Sequence, residues 1–143
     1  MPDDFKIVHV QQPNGSACVV ACCAMVSGRP YDEVRSLAGK DALGSDEEDR
    51  LLVRLGILPR RSDSQTLRPG RIWLATVPSL NKRATNHRIV IDTRGGCDVY
   101  DPNEGRNGVD VYTLNDLKSW SHLTEIIHCV PPGTPPAIVS AGK

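Results

Sequence analysis

The segment from Cys18 to Ser27 constrains this chain most. It reads Cys-Val-Val-Ala-Cys-Cys-Ala-Met-Val-Ser, so nearly every side chain is apolar or small. Gln12-Pro13-Asn14-Gly15 before it is a turn, Ser16 suits an N-cap, and Gly28 suits a helix stop. A helix that is apolar on every side has no face for water, so other elements must pack around it. Its valines make a buried strand the competing reading. The cap, the stop and the alanines favour helix.

More helices follow. Pro30 suits the first position of a second helix, with Asp32 and Glu33 in its first turn and Gly39 ending it. Ser45-Asp46-Glu47-Glu48 has the form of a capping box, ahead of Leu51, Leu52 and Leu55, and that helix stops at Gly56. The second half reads as strands: Ile72 to Val77, His87 to Asp92, Cys97 to Asp101 and Leu123 to Val130, with a turn at Thr93-Arg94-Gly95-Gly96. A short leading strand is expected over Phe5 to Val10, and a short helix from a cap at Thr113-Leu114-Asn115-Asp116 through Trp120. Helices first and strands later predict an α+β fold: N-terminal helices packed on a mostly antiparallel sheet. The 143 residues suffice for one domain, expected over 1–130. Residues 131–143 hold four prolines within 131–136 and are expected to form a flexible tail.

Charge and cysteine usage narrow the function. Lys plus Arg and Asp plus Glu are both 17, so the basic excess of a typical nucleic-acid binder is absent. No apolar run nears the ~20 residues of a membrane span. The acidic start Met1-Pro2-Asp3-Asp4 is unlike a signal peptide, and a cytoplasmic location is expected. Five cysteines, two of them adjacent, then read as reduced thiols rather than a disulfide framework. The spacing of Cys18, Cys22, Cys97, Cys129 and His128 does not match paired zinc knuckles, and no metal or cofactor is expected.

Among the thiols Cys18 stands apart. It falls in the first turn of the apolar helix, where unpaired N–H groups and the positive helix end favour thiolate. Cys22 and Cys23 lie deeper and read as packing residues. The strand hairpin supplies its partners. Strand alternation puts His87, Ile89 and Ile91 on one face, and Cys97, Val99 and Asp101 on one face of the next strand. These faces are the more apolar ones and are expected to meet the core. A turn centred on Arg94 sets His87 opposite Asp101; a two-residue Gly95-Gly96 loop sets it opposite Glu104 instead. A thiol at a helix start, an imidazole and a carboxylate are the parts of a cysteine-nucleophile triad. The Cys18 N–H and the side-chain amide of Gln12, six residues upstream, are the candidate oxyanion donors. His9, His122 and His128 show no partner pattern and read as surface or packing residues. Arg60-Arg61 and Lys82-Arg83 read as solvated charges, or as contacts for an acidic substrate near the cleft.

Gln12 and Cys18, the helix through Ala24-Met25 to Gly28, then Asn86-His87-Arg88-Ile89-Val90-Ile91 and Val99-Tyr100-Asp101-Pro102-Asn103-Glu104-Gly105 together resemble one family. It is the C39 branch of papain-like cysteine peptidases, the bacteriocin-processing, double-glycine type. The resemblance spans roughly residues 8 to 105. It implies a papain-like fold, with Cys18 as nucleophile, His87 as general base, Asp101 as its orienting carboxylate and Gln12 as oxyanion donor. Val19 stands where the family usually has glycine after its cysteine. Well-known members are fused to transporters, and none is evident here. The implied activity is a stand-alone thiol hydrolase cutting a peptide or isopeptide bond in a protein or peptide substrate. A deamidase or acyl transferase would use the same triad. An inactive papain-like module that binds peptides is the reading from another class, and an effector directed at one partner protein differs only in substrate.

Overall fold

The computed structural model describes residues 5–78, 86–102, 111–113 and 119–133. Three helices come first, α1 (Cys18–Ser27), α2 (Tyr31–Ala38) and α3 (Ser45–Arg54). Six strands follow: β1 (Ile57–Arg61), β2 (Ile72–Pro78), β3 (Asn86–Asp92), β4 (Asp98–Tyr100), β5 (Val111–Thr113) and β6 (Ser121–His128). The strands form one sheet in the order β1-β6-β2-β3-β4-β5, with every pairing antiparallel.

Helix α1 is the apolar segment, with the expected bounds, and everything from Val20 to Ser27 is buried. A valine in a helix costs under ~0.7 kcal/mol in propensity. Burying one contributes roughly 1.5–3 kcal/mol, so burial decides. Gly28 closes the helix in the left-handed region, its N–H on the Ala24 carbonyl. The start differs from expectation. Ala17, not Ser16, is the N-cap, and no side chain caps α1. Asn14 takes the Ser16 N–H on its own Oδ1, an Asx turn that uses up the approach to the helix. Pro30 is the N-cap of α2 rather than its first residue. Likewise α3 starts one residue early: Glu47, not Glu48, reaches back to an N-cap N–H, that of Gly44, at 2.9 Å. Glu48 is thereby released for another role.

Helices α1 and α3 pack on the sheet, and α2 packs on α1. The face they cover carries Ile72, Leu74, Val90 and Ile126. By strand alternation this is the Arg88-Val90 face of β3, which the sequence reading took as the polar one. The Ile89-Ile91 face lies on the other side, in a second cluster with Trp73, Ala75, Val77, Val99 and Leu123. Leu67 and Trp120 close it, the Trp120 indole N–H donating to the Gln65 carbonyl at 2.7 Å. Both faces of the sheet are therefore apolar near its centre, and counting apolar residues on one hairpin cannot choose between them.

Two further expectations are corrected. Phe5 to Val10 is not a strand: side chains hold it, with Ile7 in the core and Phe5 edge-on to His128. Strand β1, absent from the sequence reading, pairs with β6 at the sheet margin, where Pro59 is tolerated because an edge strand can spare a donor. Part of the expected Thr113–Trp120 helix, Lys82-Arg83, Glu104 and residues 134–143 lie outside the described residues. At the end of the described chain the Gly133 N–H still donates to the Ser27 carbonyl at 2.8 Å.

Gly56 joins α3 to β1 with φ +80, and a Cβ there would come within 2.2 Å of Val130 Cγ2. Gly39 has the same φ with nothing within 4 Å. Gly39→Ala should cost about 1 kcal/mol in urea unfolding, the left-handed strain alone. Gly56→Ala should cost at least about 1 kcal/mol more, and equal losses would show that the Val130 contact carries no weight.

Candidate active site

The fold brings the start of α1 against the start of β3. Cys18 is the first residue of α1 and is partly buried. Its N–H belongs to the first turn and has no acceptor within the helix. His87, the second residue of β3, lies beside it, and the Cys18 thiol is hydrogen-bonded to the His87 side chain. The far side of the imidazole meets Asp101: Nε2 lies 2.8 Å from Oδ1. Since Nε2 faces the carboxylate, Nδ1 is the nitrogen that meets sulfur.

The hairpin register explains how these residues meet. Val90 faces Tyr100, Ile91 faces Val99 and Asp92 faces Asp98. The turn is thus centred on Gly95, which neither of the two expected registers assumed. Extending it puts Asp101 level with Ile89, so His87 and Asp101 are diagonal rather than opposite. The shift preserves parity, keeping both on one face, and diagonal neighbours remain within reach of an imidazole. Asp101 is 1% exposed. Its backbone carbonyl accepts from His9 Nε2 at 2.6 Å, and the next carbonyl, Pro102, accepts the Gln12 N–H at 2.6 Å. The segment before α1 is thus stitched to the Asp101-Pro102 turn.

Gln12 is buried, and its side-chain Nε2 donates to the Asn14 carbonyl at 2.6 Å. One amide proton is committed there, one remains, and Oε1 is buried without a partner. The amide therefore sits in the turn that leads into α1.

Charge follows this geometry. Burial alone would raise the Cys18 thiol. The hydrogen bonds from His87, the Arg88 N–H and the Val19 N–H, with the imidazolium charge, outweigh it and hold Cys18 below an ordinary thiol. Burial would likewise lower His87, but Asp101 and Cys18 raise it to about 9. Both shifts run towards a thiolate beside an imidazolium. Cys22 and Cys23 are fully buried, and burial pushes both thiols well above the ordinary value, in keeping with packing roles.

A cleft of about 300 Å³ opens beside the pair. Val19 and Leu43 form an apolar wall, Thr76 and His122 a polar one, and Arg61 and Ser45 also line it. Glu48 and Arg88 line it too, as a buried ion pair that the sequence reading missed. The available signal was Arg88 itself, a cation between His87 and Ile89 in a buried strand, which demands a carboxylate. Arg61, expected as a solvated charge or a contact near the cleft, borders it, and so does His122, expected as a surface or packing residue. Among the described residues no group of three or more His, Cys, Asp or Glu side chains could hold a metal ion, and no helix is long and apolar enough to cross a membrane.

A buried helix that sets a thiol beside an imidazole on β3, with a carboxylate just past β4, is the arrangement expected of a papain-like fold. Solved structures share the fold. One is the peptidase domain of Streptococcus ComA, a bi-functional ABC transporter involved in a quorum-sensing pathway: TM-score 0.64, 14% identity, covering 86% of this chain and 99% of that one. Another is a double glycine motif protease from an AMS/PCAT transporter in complex with the leader peptide: TM-score 0.57, 16% identity, covering 85% and 90%. The chain has the C39-type peptidase fold. No family model matches the sequence, and no curated protein matches it.

Asp101 leads the two groups that raise His87, with Cys18 the second. In Asp101→Asn, His87 should titrate clearly below the parent's value of about 9, read from imidazole NMR shifts. The sign for stability follows. A raised histidine stabilises fully below ~6.5, and the contribution is lost as pH rises through about 9. The Asn variant should show a weaker dependence, and an unchanged His87 titration would contradict the assigned cause.

Proposed function

We propose that this chain is a cysteine peptidase, a thiol hydrolase of peptide or isopeptide bonds that works through Cys18, His87 and Asp101. One observation carries the reading: a partly buried thiol at an uncapped helix start shares a hydrogen bond with an imidazole whose other nitrogen is held by a buried carboxylate. The similar solved structures are peptidase domains, one of them with a leader peptide bound, which supports a peptide as substrate.

In this reading the Cys18 thiolate attacks the substrate carbonyl carbon, forming a C–S bond and an oxyanion. The Cys18 N–H and the uncommitted Gln12 amide proton stabilise that oxyanion. His87 Nδ1 gives its proton to the leaving amine, and the C–N bond breaks. The neutral imidazole then takes a proton from water as the water oxygen attacks the thioester carbon; the C–S bond breaks, the carboxylic acid leaves and the Cys18–His87 pair is restored. Asp101 keeps Nδ1 aimed at sulfur throughout. A domain over residues 1–130 belongs to the same proposal, as does a cytoplasmic location.

Val19 favours a second reading. Its side chain lines the cleft directly beside Cys18. If it blocks the backbone of an extended substrate, the chain holds peptides without cutting them.

Incubation with a diverse peptide library, read by mass spectrometry for new termini, separates the two. The peptidase reading predicts cleavage that Cys18→Ala abolishes and His87→Ala slows roughly 10²–10⁴-fold. Val19→Gly should equal or exceed the parent. Cleavage only after Val19→Gly would favour the binding module, and cleavage surviving Cys18→Ala would exclude the thiol mechanism.

A further inference from the structure

The cleft floor holds an ion pair that the proposed reaction does not use. Arg88 follows His87 on β3 and is 6% exposed; Glu48, in the first turn of α3, is 3% exposed. Arg88 Nε and Nη2 donate to Glu48 Oε2 and Oε1, both at 2.9 Å. Nη1 donates to Thr76 Oγ1 at 3.1 Å and to the His122 carbonyl at 2.6 Å, and Nη2 also donates to Thr124 Oγ1 at 2.9 Å. All five N–H groups of the guanidinium are used. They fasten β3 to α3, β2 and β6 at once.

The backbone around this clamp is shaped to it. The β2–β6 register shifts between Leu74 and Thr76, and nearby His122 has φ +50. A non-glycine residue there costs ~1–2 kcal/mol, so some contact must hold it. Its carbonyl on Arg88 Nη1 is that contact. The main chain of Arg88 also touches α1 at two points one helical turn apart. Its N–H donates to the Cys18 sulfur, and its carbonyl accepts from Cys22 Sγ at 3.3 Å. The residue with the clamped side chain thus sets where β3 meets the nucleophile, with His87 one residue away.

Resting on the thiol chemistry proposed above, we infer that Arg88 and Glu48 are positioning residues. The pair locks the start of β3 so that the His87 ring and the Arg88 N–H both converge on the Cys18 sulfur. Stability alone explains the pair poorly, because packed apolar side chains often replace a buried ion pair without loss. Charge explains it poorly too, because the two groups act with opposite sign: at Cys22 and Cys23, Glu48 raises the thiol and Arg88 lowers it.

The groups that can act on Cys18 are His87 and Arg88 on β3, Glu48 on α3, Arg61 on β1, His122 on β6 and Cys22 on α1. Glu48→Gln removes a negative charge from this set. By charge alone Cys18 would then ionise at lower pH, and a purely stabilising pair would leave it unchanged. Positioning predicts the opposite sign. In the full chain, the pH profile of Cys18 alkylation by iodoacetamide should move up by about one pH unit. Alkylation at pH 6 should then fall about tenfold. Because a lone Arg88 charge can unfold the protein, the double variant Arg88→Met/Glu48→Leu is read beside it, with its thermal transition as the check on folding. A rise of the profile in a folded variant supports the proposal. A profile unchanged or lowered overturns it. A parent Cys18 that alkylates like the other four thiols overturns the thiol chemistry beneath it, and so is told apart from failure of the clamp.

Discussion

Everything at the site depends on one packing constraint: α1 has no side that tolerates water. Its buried face meets Ile72, Leu74, Val90 and Ile126 of the sheet, and α2 and α3 close over the rest. A helix held on all sides cannot slide or roll, so its first residue is fixed relative to β3. Cys18 therefore meets His87 in the free protein, without waiting for substrate. The uncapped start belongs to the same constraint. A side-chain cap at position 17 would satisfy the N–H groups that the thiolate otherwise uses, and Ala17 cannot supply one.

Electrostatics at the pair is decided by competition rather than by any single effect. Burial opposes charge on both Cys18 and His87. Each group nevertheless favours the charged form, because each supplies the other with a hydrogen bond and a counter-charge, and Asp101 adds a second hydrogen bond to the imidazole. Cys22, one turn deeper on α1, shows the alternative outcome. Fully buried and without an imidazole, it is held as a neutral thiol by the same desolvation. Two thiols on one helix thus take opposite roles according to what faces them.

Much of this was legible in the sequence, for local reasons. The bounds of α1, the strands at Ile72 and His87, and the placing of His87 and Asp101 on one face follow from an apolar run, a glycine stop and strand parity. The register was not legible, because Thr93 to Cys97 permits several turns, yet parity alone sufficed to bring His87 to Asp101. Choosing the helix-facing side of β3 failed for a physical reason. Arg88 looks like a solvent residue until its carboxylate is known, and Glu48 had been assigned to a helix cap that Glu47 provides. A long-range buried ion pair leaves no mark in local periodicity. Strand β1 was missed because Pro59 argues against strand everywhere except at a sheet edge.

The central claim is that Cys18 and His87 form a thiolate–imidazolium pair in the free protein. Iodoacetamide alkylation of each cysteine, mapped by mass spectrometry from pH 5 to 9 in parent and His87→Ala, tests it most directly. The account predicts that Cys18 reacts well below the ordinary thiol range of ~8.5, ahead of Cys97 and Cys129, and loses that lead without His87. Equal reactivity of Cys18 and the exposed Cys129, indifferent to His87, would contradict it.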